Sequence, residues 1–247
     1  MSLPFLQPYL GLSGGLNTKQ SIGNPNNWVY DDFTSYADQT AVDAVYARNT
    51  SSIIGSTVDD LINYSVGLDN TPKSLARALS LAASDTSWVL RWRWRITGIT
   101  YNSTGYEVGV VIGLSDSNQT VNSYTSQDSI GLTAFHENDI KHYKIYGANN
   151  DNMINNTYRQ IFTERGSIGD DYHMELKRTS ATGVSAEIFT GEWVSSLESQ
   201  TLTISSAIIS LDNFVIKDVN NQYGSLAGNQ TGTIDDIGFQ DGVTVWV

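Results

Sequence analysis

Residues 87–96 form the stretch SWVLRWRWRI, in which two kinds of side chain alternate. The even positions are all apolar: Trp88, Leu90, Trp92, Trp94 and Ile96. The odd positions carry Arg91, Arg93 and Arg95. A period of two predicts a β-strand with one buried and one solvated face. Three tryptophans on one face need a wide apolar surface opposite them, so the pattern predicts a second sheet. The arginines are placed to pair with carboxylates on neighbouring strands.

Composition narrows the classes of protein and partner. The chain has 247 residues and no cysteine, so it has neither disulfides nor a thiolate metal site. A formal net charge of -12 argues against nucleic acid and anionic membranes, which select basic surfaces. No apolar run is long enough to span a bilayer, and the N-terminus lacks a signal-peptide pattern. The Asn-, Ser- and Thr-rich character is typical of extracellular or virion-surface proteins.

The first 27 residues predict an irregular N-terminal arm. Three of the four prolines lie here, together with the run GLSGG at 11–15, so the arm cannot be a regular helix or a central strand. Its apolar residues favour docking on a partner, and we expect four of them to make that contact: Phe5, Leu6, Tyr9 and Leu10. The alternative is that the arm folds back over its own domain.

The rest of the chain, 28–247, predicts one domain of about a dozen short strands and little helix. We expect 87–96 and 106–114 to form a long antiparallel pair within one sheet. Residues 130–135 and 142–146 predict a hairpin, and 147–156 a loop. Residues 75–81 have helical propensity, but their alternation favours a strand.

Five runs resemble those of one superfamily, in this order: VYDDFTS, WVLRWRWRI, EVGVVIGLSD, DDYHMELKRTSATGVSAEIFT and TIDDIGFQDGV. They are similar to the concanavalin A-like lectin/glucanase proteins, including laminin-G-like domains. This resemblance implies an all-β fold, a two-sheet antiparallel β-sandwich of the jelly-roll kind. It further implies that the first and last strands are neighbours, and that sugars bind along the concave face or at its rim.

The catalytic carboxylates of the glucanase branch are incomplete here. That motif places two glutamates around an aspartate on one strand, and the best match runs from Glu187 to Glu192 with Phe189 at the aspartate position. A retaining mechanism needs two carboxyl groups about 5–5.5 Å apart. An odd separation in a regular strand puts Glu187 and Glu192 on opposite faces. The sequence therefore predicts no enzyme.

Two aspartate pairs suggest structural Ca²⁺. Carboxylates are ligands that calcium prefers, and the resemblance implies a calcium site where the closing strand meets the first. The residues we expect there are Asp32, Asp235 and Asp236. The alternative is that these aspartates cap turns or pair with an arginine of the tryptophan strand.

Sugar binding needs an exposed aromatic platform with polar groups around it. The candidates stand in or near Asn-, Gln- and Asp-rich stretches: Tyr124, Tyr143, Tyr146 and Trp193. The same rings could instead pack a loop or a contact between subunits.

Together these features predict a non-enzymatic, lectin-like surface module. We expect a virion decoration or tail-adhesion protein that binds glycans, a coat partner or both, and that forms homo-oligomers through its arm. One alternative is a polysaccharide-active glycoside hydrolase or its carbohydrate-binding module. The other is a purely structural coat subunit without a ligand.

Overall fold

A computed structural model describes residues 28–31, 33–34, 36–48, 53–56, 61–67, 73–101, 108–117, 127–137, 140–151, 158–163, 167–220 and 228–246. The first seven elements are β1 (Trp28–Asp31), α1 (Gln39–Val45), β2 (Ala47–Arg48), β3 (Ile53–Ser56), β4 (Leu61–Gly67), β5 (Ser74–Ala78) and β6 (Trp88–Tyr101). Then follow β7 (Val108–Ser115), β8 (Gln127–Glu137), β9 (Ile140–Asp151), β10 (Tyr158–Ile161) and β11 (Asp171–Arg178). The last four are β12 (Gly183–Thr190), β13 (Ser195–Thr203), β14 (Asn213–Asn220) and β15 (Gly228–Asp241).

The strands form two antiparallel sheets that pack face to face. Within the described residues, the eight-stranded sheet has the order β13-β12-β11-β6-β15-β4-β3, with β1 paired to β15. The seven-stranded sheet has the order β10-β9-β8-β7-β14-β5-β2. The pairing of β1 with β15 confirms that the first and last strands are neighbours. The predicted all-β sandwich is therefore correct.

The tryptophan strand supplies the centre of the core. Trp88, Trp92 and Trp94 are 0%, 0% and 1% exposed, which confirms the predicted register of β6. The ring of Trp94 lies 6.1 Å from that of Tyr143, which belongs to β9 in the facing sheet. Aromatic side chains bury large areas, so this contact couples the two sheets.

The arginines of β6 point away from the core and pair across the sheet, as predicted. Arg91 pairs with Glu175 and Arg93 with Asp235, while Arg95 Nη1 lies 3.9 Å from Asp171 Oδ2. Each partner stands on a strand that flanks β6, and Glu175 and Asp171 occupy register positions opposite Arg91 and Arg95. The outer face of the eight-stranded sheet, meaning the face turned away from the other sheet, is therefore charged.

The structure corrects the predicted pairing of β6 with β7. Strand β6 pairs with β11 and β15, whereas β7 pairs with β8 and β14 in the other sheet. The burial patterns explain the difference. Strand β6 alternates buried and half-exposed positions, but every residue of β7 is buried. The two strands thus meet different surroundings and belong to different layers.

Three further predictions need adjustment. Residues 147–151 continue β9 rather than forming a loop, because β8 offers them ladder partners: Ala148 pairs with Ser129. The alternation of Leu202 and Ile204 predicts that a strand begins there, but residues 202–203 instead end strand β13. The polar segment after β1 contains the short helix α1, whose N-cap Asp38 accepts a hydrogen bond from the Ala41 backbone N–H at 2.9 Å. By contrast, 130–135 and 142–146 do form a hairpin, and 74–78 is a strand. In the part of the chain that the structure describes, no helix is long and apolar enough to cross a membrane.

Candidate functional site

Trp193 is the predicted binding residue that the structure places at the surface. It lies in the turn between β12 and β13, where Gly191 has a φ of 67° and Trp193 a φ of 56°. The glycine adopts this left-handed conformation at no steric penalty, whereas Trp193 adopts it as a residue with a side chain, which is uncommon outside turns. The indole Nε1 of Trp193 donates a hydrogen bond to the Met174 carbonyl at 3.1 Å. The turn therefore folds the ring back over the outer face of the eight-stranded sheet.

A second tryptophan and an arginine complete an aromatic patch, which we define as Arg91, Trp193 and Trp246. The Arg91 guanidinium carbon lies 5.4 Å from the Trp193 ring centroid and 5.0 Å from that of Trp246. Both distances are within the range of cation–π attraction. Both indoles are half-buried, so each keeps part of its surface in solvent. The patch thus brings together Arg91 and Trp246, which are 155 positions apart in the sequence.

A buried carboxylate holds the arginine in place. Arg91 Nε donates to Glu175 Oε2 at 2.6 Å, and Lys177 Nζ lies 2.6 Å from Glu175 Oε1. Both oxygens of Glu175 are thus occupied by cations, and neither is available as a nucleophile. Charged hydrogen bonds of this kind are short and directional, so they fix the Arg91 side chain between the two indoles.

Polar side chains continue from the patch along one row of the sheet. The register places Ser199, Glu187, Glu175 and Arg91 opposite one another on successive strands. Beside this row, the imidazole of His173 meets the Trp193 ring edge-on at 4.6 Å between centroids. Burial, followed by the nearby charge of Arg93, lowers the pKa of His173 below its usual value. A flat apolar ring, a hydroxyl and a carboxylate thus share one face.

The structure removes two tyrosines from the predicted sugar platform. Tyr143 is 2% exposed and lies between the sheets, 6.0 Å from the Tyr172 ring. Tyr146 is fully buried, on the opposite face of the same strand. The error has a physical cause: both were assigned to a loop rim by composition, but cross-strand pairing with β8 keeps them in β9. Tyr124 lies outside the described residues, as do Phe5, Leu6, Tyr9 and Leu10 of the arm.

The predicted calcium ligands have protein partners in the described region. A bulge in β15 lies between Asp235 and Gly238. It places both aspartates beside Arg93, which contacts Asp235 and lies 3.9 Å from Asp236 Oδ2. On the first strand, Asp31 Oδ2 lies 2.8 Å from Arg77 Nη1. Asp32 lies outside the described residues.

No group of three or more His, Asp or Glu side chains in the described ranges is arranged to hold a metal ion. These contacts correspond to the alternative in which arginine partners the aspartates. Ca²⁺ binding at Asp32, Asp235 and Asp236 stays a prediction.

The incomplete carboxylate motif remains incomplete in three dimensions. Glu187 stands on β12, but that strand ends at Thr190, and Glu192 belongs to the following turn. Phe189, at the aspartate position of the glucanase motif, is 7% exposed. The motif therefore supplies no carboxylate between the two glutamates.

Sequence reasoning missed Arg91 and Trp246 as members of the site. Arg91 was interpreted only as an ion-pairing residue. The tryptophans of β6 face the core, so the pattern of that strand gave no signal of the contact between Arg91 and the rings of Trp193 and Trp246. Trp246 stands in the closing run GVTVWV, which gives no sign of its distance to β6. Pairing of β15 with β6 brings it there.

Several solved structures have a similar two-sheet fold. A family 7 alginate lyase, A1-II′, in complex with substrate, has a TM-score of 0.52 at 10% identity, covering 96% of this chain and 100% of that chain. The lectin UEA-II complexed with galactose has a TM-score of 0.52 at 8% identity, and the match covers 88% of this chain and 100% of the lectin. The chain shares the two-sheet jelly-roll fold of these proteins.

A third similar structure is a sialidase, with a TM-score of 0.51 at 10% identity. The match covers 89% of this chain but 19% of the sialidase, so this chain spans a small part of that protein. No family model and no curated protein matches the sequence. At identities of 10% and below, the structural similarity shows a shared fold alone, so the function is argued from the residues of the site.

Proposed function

We propose that this protein is a non-enzymatic, lectin-like module that binds glycans at the aromatic patch. The observation that carries the proposal is the arrangement of Arg91 between two half-buried indoles at the surface of a sheet. Sugar rings have an apolar C–H face and a rim of hydroxyl groups. A tryptophan ring packs against the C–H face, and nearby charged and hydroxyl side chains form hydrogen bonds with the hydroxyl groups.

Preorganisation supports the same role. Ordering a side chain on binding costs about 0.5–1.5 kcal/mol, and a ring that is already held avoids much of it. Trp193 is held by its hydrogen bond to Met174 and by its contact with His173. Arg91 is held by Glu175. A glycan that binds here therefore costs little further side-chain conformational entropy.

The polar groups around the patch support binding rather than hydrolysis. The carboxylate closest to the patch, Glu175, is ion-paired through both oxygens. A retaining glycosidase needs one carboxyl group that attacks and one that is protonated. We therefore propose that bound glycans are released unchanged. The lectin-like sandwich alone does not carry this proposal, because the same fold occurs in an alginate lyase.

An array of glycans and polysaccharides tests the proposal. We expect the wild-type protein to bind a subset of them, and Trp193→Ala to weaken binding about tenfold or more, which corresponds to about 1.4 kcal/mol. Val194→Ala is the matched control, since Val194 is the next residue and is 83% exposed. Equal binding by Trp193→Ala and wild type would contradict the proposed site. Binding to no glycan would favour a structural coat subunit.

Product analysis separates binding from catalysis. The bound polysaccharide is incubated with the protein, and new reducing ends and new double bonds are measured over time. We expect neither. Sustained formation of either product that stops on Glu187→Gln would favour a polysaccharide-active enzyme.

The setting that we propose is an outer surface, specifically a virion decoration or tail-adhesion protein. Composition supports it: a net charge of -12 disfavours nucleic-acid contact, and a cysteine-free chain does not depend on an oxidising compartment for folding. A gene position beside capsid and tail genes would support this setting. A position among genes for polysaccharide breakdown would contradict it.

A further inference from the structure

Acidic side chains outnumber basic ones around the aromatic patch. Beside the Arg91 row runs a second row of the same face, in which the register places His173, Arg93 and Asp235 opposite one another. The carboxylates of the two rows, the bulge and the Trp193 turn are those of Glu175, Glu187, Glu192, Asp235 and Asp236, and the cations there are Arg91, Arg93 and Lys177. A ligand on the patch therefore meets a local excess of negative charge.

The cations of this area are engaged by carboxylates of the protein. Glu175 Oε2 lies 2.6 Å from Nε and 2.5 Å from Nη2 of Arg91, and its other oxygen lies 2.6 Å from Lys177 Nζ. Arg93 Nη2 contacts Asp235, and its Nε lies 3.9 Å from Asp236 Oδ2. Recognition of a sugar carboxylate or sulfate uses the fork of N–H donors on an arginine. In both arginines the edge formed by Nε and Nη2 is turned to the protein instead.

The histidine beside the patch adds no positive charge at neutral pH. His173 is 6% exposed, and the Trp193 ring lies against its imidazole. Burial, followed by the charge of Arg93, lowers the pKa of His173 below its usual value of about 6.5. The imidazole is therefore neutral at pH 7, and it does not offset the carboxylates around it.

Two carboxylates beside Trp193 are available to a ligand. Within the described residues, Glu187 and Glu192 form no ion pair and accept no hydrogen bond. Glu187 projects from the outer face, because its neighbours Ala186 and Ile188 belong to the core between the sheets. Glu192 directly precedes Trp193 in the turn. A carboxylate accepts short, charge-assisted hydrogen bonds from hydroxyl groups, and it repels another anion.

We propose that the aromatic patch binds hydroxyl-rich glycans that carry no acidic group, with Glu187 and Glu192 as acceptors for their hydroxyl groups. This inference rests on the proposed function, because it names the ligand class of the same site. A sugar ring that stacks on Trp193 lies beside both carboxylates. An acidic ring in that position would bring its own charge next to them, and ions at physiological concentration screen little over distances shorter than about 8 Å. Uronates, sialylated glycans and sulfated glycans are therefore excluded.

Matched pairs of probes on the glycan array test this inference. Each pair shares a sugar backbone and differs in acidic groups: dextran and dextran sulfate, methyl-esterified homogalacturonan and its free acid, and lactose and sialyllactose. In every pair that binds, we expect the acidic member to bind about tenfold more weakly or worse at an ionic strength of about 0.15 M. At about 1 M salt the gap should narrow, because screening then acts over about 3 Å. Glycans bound elsewhere on the array are judged by the same criterion.

Glu187→Gln tests the role of the carboxylate, because it keeps the shape of the side chain and removes the charge. We expect it to weaken binding of the neutral member about threefold or more, since an amide oxygen is a weaker acceptor than a carboxylate. We also expect the preference for the neutral member to shrink about threefold or more. Asp43→Asn is the matched control: it removes the same charge from α1, which neighbours β2 and β3 rather than the strands of the patch. Both quantities should stay unchanged in that variant.

The possible failures separate this inference from the proposed function. Equal or tighter binding of acidic members, still weakened by Trp193→Ala, would overturn the inference and leave glycan binding at the patch intact. A preference that Glu187→Gln leaves unchanged, or that Asp43→Asn reduces equally, would also overturn it, since the carboxylate beside Trp193 would then have no specific role. Binding to no glycan on the array would overturn the proposed function and this inference with it.

Discussion

Trp92 lies at the centre of the sandwich, fully buried, with its ring 6.2 Å from that of Trp94. A large side chain in this position stabilises the fold by removing apolar area from water and by filling space that no smaller residue can fill. Trp193 is the contrasting case at the surface, where the same indole is held for binding. The residue type alone does not distinguish the two roles. The alternation along β6 assigns Trp92 to the core, and the turn that contains Gly191 places Trp193 at the surface.

Trp92→Ala should lower the free energy of unfolding by about 3–5 kcal/mol, because the substitution removes buried area and leaves a cavity. Denaturant unfolding measures the change. Trp193→Ala is the comparison, and we expect a smaller effect from it, since that ring is half-buried. Equal losses for the two variants would contradict the assignment of Trp92 to the core and Trp193 to the surface.

His173 should make stability depend on pH. Its pKa is lowered in the folded state, chiefly by burial and next by Arg93, so the unfolded chain binds the proton more readily. The stabilisation is complete above the unfolded pKa of about 6.5 and is lost as the pH falls from there toward the lower folded pKa. We expect the free energy of unfolding to decrease between pH 7 and pH 5, and His173→Gln to flatten that decrease. An unchanged slope in the variant would show that other groups dominate.

At the scale of elements, Arg178 joins the β11–β12 turn to the segment that leads into β14. It is 0% exposed, and its guanidinium donates to the carbonyls of Ile208 and Ala181 at 2.8 Å each and to that of Ser180 at 3.3 Å. Hydrogen bonds from a charged group contribute about 1.5–3 kcal/mol each. A single side chain thus fixes two connections at one end of the sandwich.

Arg178→Met should therefore lower the free energy of unfolding by about 3 kcal/mol or more, because buried carbonyls lose their donors. Arg178→Lys keeps a charge but cannot reach three carbonyls, so we expect an intermediate loss. Thermal melting of both variants measures the order. Full stability of Arg178→Met would contradict the role given to these contacts.

The sequence predicts some elements well and others poorly for identifiable reasons. Strand β6 was predictable because its alternation is long and strong. The layer to which β7 belongs was not, because a strand buried on both faces has no alternation that shows its partner. Strand β9 looked like a loop at 147–151 because its Asn, Gly and Asp residues favour turns, yet pairing with β8 overrides that preference.

The candidate site was predictable only in part. Trp193 was among the candidates because it is an aromatic residue in or near a polar, loop-like stretch. Its partners Arg91 and Trp246 come from distant positions, and only the pairing of β15 with β6 brings Trp246 to the patch. Tyr143 and Tyr146 were wrongly placed because composition does not report burial. Local pattern thus predicts elements, whereas sites depend on which strands become neighbours.

At the scale of the whole molecule, the two sheets present different outer faces. That of the eight-stranded sheet carries paired charges and the aromatic patch, and that of the seven-stranded sheet carries a small buried apolar cluster of Ala76, Val111, Tyr146 and Val215. Paired charges matter because the chain is acidic overall, with 26 Asp and Glu against 14 Lys and Arg. The arginine row places positive charge where two aspartates would otherwise repel each other.

Chelation tests how that repulsion is relieved. The calcium prediction at Asp32, Asp235 and Asp236 implies that removal of divalent cations lowers the melting temperature. A melting temperature that is unchanged by chelation but lowered by Arg93→Gln would show instead that Arg93, which contacts Asp235 and lies near Asp236, relieves the repulsion. A melting temperature that falls on chelation and recovers with added Ca²⁺ would show a bound metal, since a ligand specific for the native state stabilises it.

The most direct measurement follows the indole N–H resonances of the six tryptophans during titration with a glycan from the array. Single substitutions assign each resonance. Sugar binding at the aromatic patch predicts progressive shifts of the Trp193 and Trp246 signals, with those of the buried Trp88, Trp92 and Trp94 unchanged. Saturable binding that leaves the Trp193 and Trp246 signals in place would contradict it.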